Sequence, residues 1–251
     1  MKGISSTIQE QIDKVLDRFF NQMARQLLGY LPNQGDKSVM ISAVPEDSLI
    51  HLFVESIGGR KPVPHEEEVL KNLLLTTSNY VESLKSKTKA DVLNSLTSAV
   101  TDARLKQKEA SVTDLGEILK EKMGKAQSHF KTIAGTEATK FRNTGRFLSI
   151  KKVSQTDDPT VIFQIMKNGN VCAECIRVHL LEDGVTPRAF KLNQITSDYH
   201  KKGTDTPSLC GIHPNCACSL QVVPQGWGYK NGRISFISKH YDLYKDQNGE
   251  S

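Results

Sequence analysis

All five cysteines of the chain fall between residues 172 and 218, and residues 1–171 contain none. In a reducing compartment, clustering of this kind points to a metal or redox site before it points to a disulfide framework. Cys172-Ala173-Glu174-Cys175 is a CxxC, a spacing that lets two thiolates on one tight turn face the same tetrahedral ion. Further on, Cys210-Gly211-Ile212-His213-Pro214-Asn215-Cys216-Ala217-Cys218 repeats a three-residue step between His213 and Cys216. Cys216 and Cys218 would share one face of an extended segment. The economical donor set is Cys172, Cys175, His213 and one or both of Cys216 and Cys218, with Cys210 and His200 as substitutes. A closed zinc site takes four ligands, so these groups cannot all bind one ion. A disulfide such as Cys172 to Cys216 would staple the same loops, and unpaired buried thiols would serve as small hydrophobes. A redox-catalytic CxxC lacks its βαβ context here. Each reading ties together the two ends of the segment from Cys175 to Cys210, which is loop-like with Gly184, Pro187, Gly203 and Pro207.

Upstream of the cysteines the pattern is helical. Ile4, Ile8, Ile12, Val15, Phe19, Met23 and Leu27 recur at three- and four-residue steps between polar residues, up to Pro32 and Gly35. A broken stretch with one short helix at 46–57 follows. Pro64 and the acidic run Glu66-Glu67-Glu68 then open a helix to about 85. After a polar break at Lys85–Lys89, helical spacing resumes to about residue 107. A further helical region runs from a cap at Ser111–Asp114 toward 150, and Gly116, Gly124, Gly135 and Gly145 divide it into two or three helices. Beyond Asp157-Asp158-Pro159 the texture changes. Thr160–Met166, Ser219–Val223 and Ile234–Ile237 read as strands, with a turn at Lys167–Asn170. The expected fold class is α+β: a helical N-terminal half, then a small mixed α/β domain closed at its Cys/His cluster by zinc or disulfides. The expected divisions are 1–110, 111–223 and a C-terminal arm at 224–251.

Composition removes several functions. The 251 residues are 37% hydrophobic and 24% charged, which suits one large or two small globular domains. Apolar runs such as Ile50–Val54 and Val69–Leu75 fall far short of the roughly 20 residues that span a bilayer. The start, Met1–Ser6, has no apolar h-region, which predicts folding in a cytoplasm. A net charge of +5 is too mild for a dedicated nucleic-acid binder.

The run Ile133-Ala134-Gly135-Thr136-Glu137-Ala138-Thr139-Lys140-Phe141-Arg142-Asn143-Thr144-Gly145, a strand, the CxxC and the closing His-Pro-Asn-Cys-Ala-Cys follow in order. This chain is similar here to the phage head morphogenesis family, the Mu F-like minor head proteins. The resemblance covers about 126–223. Thr136, Glu137, Asn143, Gly145, Cys172, Cys175, His213, Pro214, Cys216 and Cys218 match the family pattern, while Gly135 and Ala217 stand where it has arginines. The resemblance implies a virion component of a tailed phage near the portal vertex, acting in head assembly, genome packaging or ejection. The implied partners are portal protein and/or major capsid protein, with sequence-independent contact to packaged double-stranded DNA and neither membrane nor small-molecule substrate. Thr136 and Glu137 are expected to pin their helix to the cysteine domain by hydrogen bonds. Arg142 and Arg146 line one helix face with Lys151 and Lys152 just beyond; a solvated face is the plainer reading, and a DNA-facing patch the alternative.

Enzyme readings fit less well. A metal-dependent HNH-type nuclease is the alternative function, because zinc-knuckle versions also pair CxxC units with histidines. His179, His200, His213 and Asn215 supply the residue types without a recognisable arrangement. The zinc-deaminase pattern fails because no glutamate accompanies His213. The residues after 223 are too few for a fused catalytic domain, which needs about 40 residues or more.

Overall fold

A computed structural model of the chain describes residues 6–28, 48–106, 108, 111–154, 156–165, 172–230 and 232–249. Ile4, Pro32, Gly35 and the turn expected at Lys167–Asn170 lie outside them. The chain divides into two compact units, Met1–Ser48 with Asn72–Ala134, and Leu49–Lys71 with Gly135–Ser251. Helices α3 (Pro64–Leu105) and α4 (Val112–Val153) each contribute to both.

In the first unit, α1 (Ser6–Leu28) packs Ile12 and Leu16 against Val92 and Leu96 of α3, with Leu115, Ile118, Leu119 and Met123 of α4 alongside. The buried face of α1 is Ile12, Leu16, Phe20, Met23 and Leu27. Val15, expected on that face, is exposed, because the stripe passes from Ile12 to Leu16 and Phe20 by four-residue steps before a three-residue step to Met23. Lys85 and Lys89 reach Asp17 and Asp13 of α1 at 2.8 and 3.0 Å. The polar stretch at Lys85–Lys89 therefore does not end a helix. It contains neither glycine nor proline, and its Thr88 hydroxyl, buried, donates to the Leu84 carbonyl one turn back.

In the second unit, three strands form an antiparallel sheet of order β2-β1-β3: β1 is Thr160–Gln164, β2 Ala189–Lys191 and β3 Ser219–Val222. Successive side chains of β1 point to opposite faces, and both faces are covered. Val161 and Phe163 join Phe190 and Leu220 in a core closed by Ile150 of α4, by Cys175 and Val178 of α5 (Ala173–His179), and by Cys216 and Cys218. Ile162 and Ala189 face the other way, into a smaller core with Val223 and Leu243. This two-sided burial explains why β1 reads as an unbroken apolar run.

Two further expectations need correction. Helix α4 is continuous through all four glycines. The segment after 223 also forms more than an arm: β4 (Trp227–Lys230) and β5 (Arg233–Phe236) pair as a hairpin, and α6 (Leu243–Asn248) buries Leu243. Gln247 accepts from the Ala189 amide at 2.7 Å and donates to the Pro187 carbonyl at 3.0 Å, fastening α6 beside β2. The overall class is α+β, as the sequence predicts.

Candidate metal centre

Two short structures deliver the donors. The CxxC lies at the start of α5 and not on a free turn: Cys172 is the N-cap, its sulfur accepts the Cys175 amide N–H at 3.2 Å, and Cys175 points into the core one turn further on. The second donor segment is a compact loop between Leu209 and Leu220. Gly211 takes a left-handed φ of 82°, and a Cβ there would stand 2.7 Å from Cys216 Cβ, so glycine alone fits the turn. Asn215 is also left-handed, at φ 61°, which its short polar side chain tolerates.

All five donors expected from the sequence converge. Cys172, Cys175 and His213 lie with their ligand atoms within 4.8 Å of one another, and so do Cys175, Cys216 and Cys218. Cys175 belongs to both groups and is the hub of the cluster. The five cysteines are all free. Cys175 Sγ and Cys216 Sγ stand 3.8 Å apart, much longer than a sulfur–sulfur bond of about 2.05 Å. A tetrahedron with metal–sulfur distances of about 2.3 Å has an edge of about 3.8 Å, so the separation suits two thiolates on one ion. His213 Nδ1 is 2.7 Å from the Pro214 carbonyl, which can only accept. Nδ1 therefore carries the proton, and Nε2 keeps the lone pair a metal needs.

The electrostatics of the trio favour a cation. The hydrogen bond with Cys216 pushes the Cys175 thiol up, and the same bond, with backbone amides of Ile212 and Cys218 pointing at its sulfur, pulls Cys216 down. A hydrogen bond with Cys175 lowers Cys218, but the one with Cys216 and burial outweigh it, and the thiol is pushed up to about 12. Buried thiolates this close repel one another, and a bound cation reverses that cost.

The substitutes are placed elsewhere. The Cys210 thiol donates to the Ser197 carbonyl at 3.2 Å, and burial pushes it up. His200 lies between the Thr206 carbonyl at 3.1 Å and Glu174 at 3.3 Å. Glu174, inside the CxxC, also accepts from Arg177 and from the Gly203 amide. These bonds fasten the loop between the two donor segments onto α5, and they hold the Glu174 carboxylate far below its usual range, Arg177 being the largest cause.

Helix α4 forms the floor. Thr136 Oγ1 accepts the Asn215 amide at 3.1 Å, Thr139 Oγ1 donates to the Cys216 carbonyl, and Asn143, fully buried, binds at three points. Its amide nitrogen donates to the Leu209 and Cys218 carbonyls at 3.3 and 3.1 Å, and its oxygen accepts the Leu220 amide at 3.0 Å. Glu137, also buried, accepts from the Tyr199 hydroxyl at 2.8 Å. The expected pinning by Thr136 and Glu137 is present; Thr139 and the extent of Asn143's role were not anticipated, although the step 136, 139, 143 that puts them on one helix face is visible in the sequence. A Cβ at Gly135 would lie 2.4 Å from Asn215 Oδ1, so the Asn215 side chain occupies the space beside this glycine.

Of the basic residues, Arg146 is half-buried and donates to the Leu220 carbonyl at 3.3 Å. Arg142 is half-buried, while Lys151 and Lys152 are exposed in the last turn of α4, where positive charge complements the helix dipole. His179, missed as a structural element, is fully buried and stacked on Phe163 at 4.5 Å, and burial lowers it to about 4, so it is neutral at pH 7. Among the described residues, no helix is long and apolar enough to cross a membrane. Comparison with protein-family models, with curated proteins and with solved structures returns no match to this chain.

Proposed function

We propose that this chain is a structural minor head protein of a tailed phage, acting at the portal vertex in head assembly, genome packaging or ejection, with one structural zinc ion in its cysteine cluster. The observation that supports the reading is convergence. Residues of the head-morphogenesis pattern that are far apart in sequence come together: Thr136 and Asn143 on α4 hold the second donor segment, and the five donors form two adjoining groups that share Cys175. Donor chemistry favours zinc, since thiolates and an imidazole in a tetrahedral arrangement are its usual structural set. Four filled positions leave no open site to activate water, so the ion's contribution is folding energy. In this reading the helical first unit meets portal or capsid subunits, and of Arg142, Arg146, Lys151 and Lys152 it is the two exposed lysines that are free for sequence-independent contact with packaged DNA.

Quantitative mass spectrometry of purified particles, counting this chain against the portal protein, tests the placement. A fixed ratio at or below one per portal chain is expected. Absence from particles counts against it and favours a transient factor or the packaging nuclease. Metal analysis of the purified protein should give about one zinc per chain, and Cys175→Ser, which removes the hub, should abolish it.

A further inference from the structure

Metal centres whose ligands come from two separated segments need both segments held in register. In this protein the His213, Cys216 and Cys218 segment buries Ile212, Cys216 and Cys218 in the core, and a row of α4 side chains grips its backbone. The contacts are placed at the donors themselves: Thr139 takes the carbonyl of Cys216, Asn143 takes the carbonyl of Cys218, and Thr136 takes the amide of Asn215, next to Cys216. Asn143 also takes the Leu209 carbonyl and the Leu220 amide, closing the loop across its two ends. It uses three of the four hydrogen bonds its side chain can make, in a position with no exposure to water. Every partner is a backbone atom, so the grip does not depend on the ion.

We infer that α4 is the template of the metal centre: Asn143, with Thr139 and Thr136, positions the His213/Cys216/Cys218 half of the site and thereby sets the affinity and coordination geometry of the ion. They are positioning residues, acting through the donors without touching the metal. The inference rests on the zinc reading above. Gly135 lies beside the same loop, where an added Cβ would meet the Asn215 side chain at 2.4 Å.

The test compares the wild-type chain with Asn143→Ala, with the near-isosteric Thr139→Val, which removes the α4 hydroxyl that donates to the Cys216 carbonyl, and with Tyr199→Phe as a control. Tyr199→Phe removes a partly buried hydrogen bond to α4 through Glu137 and leaves the donor loop alone. Zinc affinity is read by competition with a chromogenic chelator, and geometry by the visible spectrum of the cobalt(II)-loaded protein. Thr139→Val and Asn143→Ala are expected to weaken zinc by roughly 10–100-fold and to alter the cobalt bands, with the control within about 2-fold of wild type. Thr139→Val retaining wild-type affinity and spectrum overturns the inference, as does an equal loss in Tyr199→Phe. A wild-type protein that binds neither zinc nor cobalt overturns the metal reading itself, a result distinct from either.

Discussion

Glu66 illustrates how one side chain can carry several local tasks. It sits at the third position of α3 and accepts the Val63 amide at 2.9 Å, satisfying a helix-end donor. It is also clamped by Arg60 in a two-pronged ion pair at 2.7 and 2.5 Å. The Arg60 hydrogen bonds are the largest cause of its pKa falling from 4.5 to about 2; burial opposes this and loses. A carboxylate with a depressed folded pKa gives stability that is complete above the unfolded value and lost as pH falls through the folded one. Between about pH 4.5 and 2 the wild type should therefore lose stability that Glu66→Gln never had. Urea unfolding at pH 7 should show Glu66→Gln weaker by about 1–3 kcal/mol. The gap between the two proteins should shrink toward pH 2.5, and a gap independent of pH would mean the ion pair is not its source. The sequence shows the acid in the first turn; its partner Arg60 lies across the irregular Lys61-Pro62-Val63 segment, which no periodicity reveals.

Elements are where the sequence reading departs most from the structure. Intrinsic propensity breaks α4 at its glycines, each about 1 kcal/mol worse than alanine. The structure keeps one helix because tertiary contacts use two of those positions. At Gly145 a Cβ would lie 1.8 Å from Ser56 Oγ and 3.0 Å from the Phe53 carbonyl, so the missing side chain is what lets α2 (Leu49–Ser56) approach. At Gly124 nothing lies within 4 Å. Opposite outcomes follow for two substitutions on one helix. Gly124→Ala should stabilise the protein by about 0.5–1 kcal/mol. Gly145→Val should destabilise it by about 2 kcal/mol or more, through displaced backbone. Denaturant midpoints measure both, and equal effects would remove the close approach as the explanation. Helix α5 was hidden for a different reason. Seven residues are too few to show a period, and its N-cap is a cysteine, which no capping rule nominates.

For the whole molecule, the compact units do not follow the chain's linear texture. The sequence changes character near residue 150, whereas the units part between Ala134 and Gly135 and again within α3. The last residues belong to the second unit through Leu243, which fills the back of the sheet. Leu243→Ala should cost about 2–4 kcal/mol in urea unfolding, and a cost below about 0.5 kcal/mol would restore the picture of a loose arm. The sequence by itself determined the helical start, β1, β3 and β5, and the five residues that gather as candidate metal donors, because hydrophobic period and cysteine spacing are local properties that survive any packing. Only the tertiary structure decided which glycines were spacers, that Asn143 holds the donor loop, and that Cys210 and His200 stand apart from it. Those outcomes depend on distances between residues dozens of positions apart, which are set when buried backbone groups must find partners.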